Sequence, residues 1–214
     1  MNPFQIYKKL LKRFGKQYWW PAETRFEVII GAILTQQTNW KNVQITIENL
    51  NDKQLLDPYL LAEAPLGDVE VLIRQSGFYK QKARRIINFS KYLIAKHNGS
   101  LAKFFRGPLE QMRKELLSLE GIGPETADAI LLYAADRLRF PIDAYTIRLC
   151  ERLGVKELKY KELGEFFESN LPRDLEIYKE FHALIDVLGK TFCKIKPLCY
   201  SCPLTIECIY SEKM

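Results

Sequence analysis

The chain has 214 residues, with 32 Lys and Arg against 26 Asp and Glu, a formal net charge of +6, and 47% hydrophobic and 27% charged residues. That composition is globular, long enough for one large core or two smaller ones, and it excludes a wholly disordered chain. With 11 Gly and 10 Pro, the chain is neither collagen-like nor Pro/Gly low-complexity.

Taken in chain order, the periodicity is helical almost throughout. Phe4, Tyr7, Leu11 and Phe14 form an apolar stripe with Lys8, Lys9, Lys12, Arg13 and Lys16 around it. Residues 26–34 read as a buried helix entered after Pro21. They are the longest apolar stretch, yet they contain Glu27 and are too short to span a bilayer. Short helices are expected at 46–50, 55–61 and 69–73, separated by Asp57-Pro58 and Pro65, and a longer one at 80–96. Helices at 112–119 and 125–135 flank Gly121, and helices at 143–153, 160–169 and 176–188 bring the total to about ten. No alternating strand pattern or internal repeat is visible, so the fold class is all-α. The first residues lack the apolar h-region and small-residue cleavage site of a secretory signal. The expectation is a soluble, cytoplasmic protein with no membrane partner, whose basicity weakly favours a polyanionic one.

Four of the five cysteines, Cys193, Cys199, Cys202 and Cys208, crowd the C-terminal segment as C-x5-C-x2-C-x5-C. Clustered intracellular thiols more often bind metal than form disulfides. Structural zinc favours two close cysteine pairs, and only one is present here. The wide outer gaps favour a four-thiolate iron–sulfur cubane, with zinc or no metal the alternatives. Cys150, in the apolar run Ile147-Arg148-Leu149-Cys150, reads as a core thiol.

The sharpest local motif is LLSLEGIGPETADAIL at 116–131. A helix ends at Gly121, Gly121-Ile122-Gly123 turns the chain, and Pro124 enters the next helix where its missing N–H costs nothing. The glycines admit close backbone approach, and outward N–H groups at 121–123 suit a phosphate. The plainer alternative is an αα-corner with a glycine cap. Further on, Phe140-Pro141-Ile142-Asp143 opens a helix. Asp143 is either its N-cap or a functional carboxylate brought to the hairpin by helix packing, and spacing leaves both open.

Hairpin, aspartate and cysteine loop, in this order, resemble the endonuclease III branch of the helix–hairpin–helix DNA glycosylases. The resemblance covers nearly the whole chain. Leu34-Thr35-Gln36-Gln37-Thr38 is similar to the loop that fills the gap left by a flipped base, and 193–208 to that branch's [4Fe–4S] loop, although the first gap is one residue shorter than the commonest spacing. The resemblance implies a six-helix barrel at 22–137 and a second lobe made of 1–21 plus 138–214. It also implies Asp143 as the catalytic carboxylate and a [4Fe–4S] cluster on Cys193, Cys199, Cys202 and Cys208.

One departure bears on mechanism. Bifunctional members carry a Schiff-base lysine in the second hairpin helix, where this chain has Glu125, which cannot form an imine. Glu125-Thr126-Ala127-Asp128 looks like the 3-methyladenine DNA glycosylases of the superfamily. So does Trp19-Trp20-Pro21 with Trp40, which in that branch sandwiches the damaged base; the alternative is a hydrophobic hinge.

The implied function is a monofunctional glycosylase acting as a monomer, nucleoid-associated and of prokaryotic type, on double-stranded DNA that contains a damaged base. Gln37 fills the vacated stack. Gly121, Ile122 and Gly123 hold phosphate, and Lys194 and Lys196 touch the backbone. Indoles favour a cationic alkylpurine by about 1–2 kcal/mol when desolvated. Asp143 stabilises the oxocarbenium-like sugar and directs water. Glu125 either adds negative potential or compensates the helix dipole. His182 reads as a packed core residue rather than a catalytic one. Three alternatives stand beside this reading: an oxidised-pyrimidine glycosylase/lyase using another lysine, a mismatch glycosylase, and a non-catalytic iron–sulfur DNA-binding protein.

Charge distribution agrees with a DNA partner better than net charge does. Residues 1–20 carry five basic and no acidic groups and residues 79–97 carry six and none, so the rest of the chain nets −5.

Overall fold

A computed structural model describes residues 2–155 and 158–211. Twelve α-helices are formed among the described residues, and no strand. They gather into two compact units, Ala22–Ala135 and Met1–Pro21 with Asp136–Met214.

The first unit is built on α2 (Arg25–Leu34), whose Val28, Ile29, Ile30, Ile33 and Leu34 are all buried. A helix apolar on every side belongs in the centre of a core. Around it pack α3 (Trp40–Asp52), α6 (Tyr79–His97) and α9 (Pro124–Tyr133), while α4 (Pro58–Glu63) and α5 (Leu66–Leu72) lie on α6. Truncating a fully buried member such as Ile29 to Ala costs about 2–5 kcal/mol. A four-residue helix, α7 (Leu101–Phe104), leads to α8 (Leu109–Leu117), which pairs with α9. Arg113 on α8 donates to both carboxylate oxygens of the buried Asp128 on α9, at 2.7 and 3.2 Å, and so fixes the two hairpin arms against each other.

The second unit centres on α12 (Leu175–Thr191), which buries Tyr178, Phe181, Leu184, Ile185 and Leu188. Helix α1 (Pro3–Phe14) packs on it through Ile6, Tyr7 and Leu10, and α10 (Ala144–Arg152) through Leu149 and Cys150. Before α11 (Tyr160–Asn170), Phe140 stacks on Phe167 at 4.4 Å and meets Phe181 at 5.8 Å. Cys150 is 1% exposed, and burial pushes its thiol up to about 12.

The elements differ from the sequence expectation where side-chain caps decide the boundary. The helix expected at 46–50 is the far end of α3, which starts at Trp40 because Asn39 accepts the Asn42 N–H at 3.0 Å. The helix expected at 55–61 begins only at Pro58, since Asp57 takes the Tyr59 and Leu60 N–H groups.

Candidate functional site

The hairpin joins α8 to α9 through residues 118–123. Gly121 has φ +79°, in the left-handed region, and a Cβ there would run into the Arg85 guanidinium. Ile122 departs from the sequence expectation. Its N–H donates inward to the Leu119 carbonyl at 3.1 Å and its side chain is 5% exposed, so this amide closes the turn instead of facing a phosphate. Gly123 is the N-cap of α9 and has no side-chain cap bond; Pro124 follows, and the exposed Glu125 occupies the first turn. The positive end of α9 therefore faces outward.

Beside this helix end lies a cavity of about 540 Å³ lined by Gln36, Gln37, Phe78, Lys82, Arg85 and Glu125, with Gly123 at its rim. Helix α2 delivers the two glutamines. Gln37 is exposed, with φ +53°, at the turn that follows it. Gln36 donates from Nε2 to the Gly121 carbonyl at 2.8 Å and to Thr126 Oγ1 at 2.9 Å, and its Oε1 accepts from Arg85 Nη1 at 2.6 Å. Phe78, at the N-terminus of α6, has φ +48° and is 59% exposed, which is unusual for a ring that faces a polar cavity.

Lys82 is one of the six basic residues at 79–97, and it does not face solvent. It is 1% exposed, and its Nζ donates to the carbonyls of Leu34 at 2.8 Å and Ser76 at 2.6 Å. Burial, with the Arg85 guanidinium adding, pulls its ammonium down to about 8. Gln36, Phe78, Lys82 and Arg85 were all missed from sequence. Gln36 lies inside the loop 34–38 and Lys82 and Arg85 inside the basic run 79–97, while Phe78 stands as an apolar residue between Gly77 and a basic helix.

In the other unit, Asp143 is the N-cap of α10. Its Oδ1 accepts the Thr146 N–H at 2.6 Å and the Thr146 hydroxyl at 2.8 Å, while Oδ2 lies 3.8 Å from His182 Nε2 on α12. Capping thus engages one oxygen and turns the other toward a histidine that sequence alone had placed in the packed core. The rings of Trp19 and Trp20 are 5.2 Å apart, with Pro21 exposed after them. The chain enters this pair through Gln17 and Tyr18, whose N–H groups donate to the buried Glu180 carboxylate at 2.6 and 2.7 Å. Trp40 is half-buried at the start of α3, in the unit Ala22–Ala135.

Among the described residues no group of three or more His, Cys, Asp or Glu is placed to hold a metal ion. The donor set still suits a soft-metal centre. Cys193, Cys199, Cys202 and Cys208 form no disulfide and are of intermediate burial. Burial raises the Cys202 thiol, the Leu204 N–H opposes this, and the Cys193, Cys208 and Cys199 sulfurs add to the rise. Arg152 Nη1 donates to Cys193 Sγ at 3.1 Å, and Lys194 and Lys196 are exposed on the intervening loop.

A hairpin whose second helix opens uncapped onto a cavity, followed in sequence by a helix-capping aspartate, belongs to the helix–hairpin–helix class of DNA-acting proteins. Residues 30–173 match the HhH-GPD superfamily of base excision DNA repair proteins, and the chain belongs to that family. Within it the chain is an endonuclease III-like DNA glycosylase. It is 49% identical over 210 residues to a candidate DNA repair glycosylase of Methanocaldococcus jannaschii, covering 96% of this chain and 95% of that one. Endonuclease III trapped as a covalent intermediate with DNA matches with a TM-score of 0.84 and 27% identity, over 100% of this chain and 98% of that one. The H. pylori 3-methyladenine DNA glycosylase MagIII, bound to 1,N6-ethenoadenine, matches at 0.79 and 30%, over 89% of this chain and 98% of that one. Among the described residues no helix is long and apolar enough to cross a membrane.

Proposed function

We propose that the chain is a monofunctional glycosylase that flips alkylated purines such as 3-methyladenine out of double-stranded DNA and hydrolyses their N-glycosidic bond. The observation that carries the monofunctional assignment is the lining of the hairpin cavity. Glu125 occupies the position at which, by the resemblance, bifunctional members carry their imine-forming lysine, and the lining's own amine, Lys82, is buried and tied to two carbonyls. Gln37 and the exposed Phe78 ring are the groups suited to replace an extruded base. Gly121 and Gly123, at the positive end of α9, receive phosphate.

Trp19, Trp20, Pro21 and Trp40 supply the surfaces that prefer a cationic base. The alkylated purine is already a good leaving group, so Asp143 need only stabilise the developing positive charge on the sugar and orient water through Oδ2. His182 Nε2 stands 3.8 Å from that oxygen. Glu125 adds negative potential on the DNA side of α9. In this reading residues 22–137 are the six-helix barrel, and residues 1–21 plus 138–214 are the lobe that carries the cluster loop. Cys193, Cys199, Cys202 and Cys208 hold a [4Fe–4S] cluster, which stiffens the loop and so presents Lys194 and Lys196 to backbone phosphate. The protein acts as a monomer.

A base-release panel tests this: duplexes containing 3-methyladenine, 7-methylguanine, hypoxanthine, thymine glycol and uracil. Release of the methylated purines, with thymine glycol untouched, is expected. Release of thymine glycol or uracil without any methylated purine overturns the alkylpurine assignment.

A further inference from the structure

We propose that Gln36, braced by Arg85, is a positioning residue that couples phosphate capture at the hairpin to stack filling by the Gln37 loop, an inference that rests on the glycosylase reading above. Every polar atom of the Gln36 amide is committed. Arg85 can only donate, so Oε1 must face it, at 2.6 Å. That fixes Nε2 toward the two acceptors, the Gly121 carbonyl at 2.8 Å and Thr126 Oγ1 at 2.9 Å. One acceptor lies on the hairpin turn and the other in the first turn of α9, so both sides of the phosphate-facing helix end are gripped from the loop. Arg85 fills the space beside Gly121 that a side chain would occupy, which locks the brace against the same turn.

Two further contacts give the link its leverage. Gln36 directly precedes Gln37, which is exposed and has a left-handed backbone. The last residue of α2, Leu34, has its carbonyl pinned by Lys82, so the loop cannot absorb a shift of the hairpin by fraying the helix. Movement of Gly121 and Thr126 on binding phosphate is therefore transmitted through one side chain to the residue that enters the stack. A glutamate at position 36 would keep its Arg85 partner and lose both donors, setting a carboxylate oxygen against the Gly121 carbonyl. Q36E thus cuts the loop–hairpin arm while leaving the loop–α6 arm in place.

The test compares single-turnover release of 7-methylguanine paired with cytosine and of the same base opposite an abasic site, where no intact pair has to be opened. Q36E is expected to slow release from the paired lesion at least tenfold and from the unpaired one less than twofold, with a melting temperature still well above the assay temperature and an affinity for an abasic duplex near that of the parent. T126V, which removes one acceptor with little change of shape, is expected to show the same selectivity at about threefold. Equal losses on the two substrates, or no loss on either, overturn the coupling role. Silence of the unaltered protein on both substrates instead overturns the alkylpurine glycosylase reading and this inference with it.

Discussion

Glu180, 4% exposed on α12, accepts the backbone N–H of Tyr18 at 2.7 Å while its other oxygen takes that of Gln17 at 2.6 Å. A buried carboxylate facing two consecutive amides fixes the chain where it enters the Trp19-Trp20 pair, and it holds Tyr18 at φ +52°. In E180Q one of those amides would face an NH2 group, and a buried donor left unsatisfied costs about 1–3 kcal/mol. The variant is expected to lose stability by that amount and so to melt earlier. On the proposed alkylpurine reading, release of 3-methyladenine relative to hypoxanthine is expected to fall as the indoles lose their fixed position, and an unchanged ratio would make Glu180 a purely structural residue.

Asp143 has two jobs that substitution can separate. Asn caps helices as well as Asp does, whereas Ala loses about 1 kcal/mol of cap stabilisation. D143N should therefore keep the melting temperature while base release drops by about 100-fold or more, the scale of losing a charge-stabilising group. D143A should lose both. DNA affinity, read by fluorescence anisotropy on an abasic duplex, should hold in each. Normal release by D143N would reduce the residue to a helix cap.

What could be read from the sequence was chemistry fixed by local offsets. Gly121, Gly123 and Pro124 announce their turn because each answers a backbone requirement within a few residues, and Asp143 announces a helix start in the same way. Boundaries slipped at Asn39 and Asp57, where a polar cap overrules the apolar pattern. The bracing of the cavity was invisible for a different reason. Gln36 meets Gly121 across 85 positions and Arg85 across 49, and no periodicity carries such a pairing. Lys82 was misplaced because a basic run looks solvated, while the fold needed a cation to satisfy two inward carbonyls. Glu180 stayed hidden likewise, since its partners are backbone amides of another segment.

The buried lysine sets a sharp test of the reaction type. Schiff-base chemistry leaves an amine–sugar adduct that borohydride traps. Lys82, drawn down to about 8, is buried, and its amine is held by the Leu34 and Ser76 carbonyls. Incubation with an abasic duplex and borohydride on both sides of pH 8 is expected to give no adduct. An adduct that mapped to Lys82 would turn the enzyme into a lyase with a relocated nucleophile.

Acid stability should report on Glu115, which joins α8 to α6. Burial alone would push its carboxyl up, but hydrogen bonds from Tyr92 at 2.9 Å, His97 at 3.0 Å and Gln111 at 3.2 Å outweigh burial and hold it below its ordinary 4.5. A carboxyl depressed by folding stabilises the protein fully above the unfolded value, and that contribution fades as pH falls through the lower folded one. E115A is expected to cost about 1–2 kcal/mol at neutral pH. The gap in melting temperature between parent and variant should narrow progressively below pH 4.5. A gap that stays constant into acid would mean that packing of the side chain, and not its charge, accounts for the loss.

The C-terminal loop makes its own prediction, through the Arg152 guanidinium that reaches Cys193 Sγ and rests 4.7 Å from the Tyr210 ring. The contact sets a positive charge beside a sulfur of the cysteine loop and ties that loop to α10. Protein purified without air is expected to carry about four iron atoms per chain with broad visible charge-transfer absorption. C202S should lose both, and R152Q should bind iron but release it faster to a chelator. One zinc per chain and no visible band would instead assign the loop as a tetrahedral zinc site. In that case C202S would lose zinc, and the Arg152 contact would serve a thiolate held by a different metal.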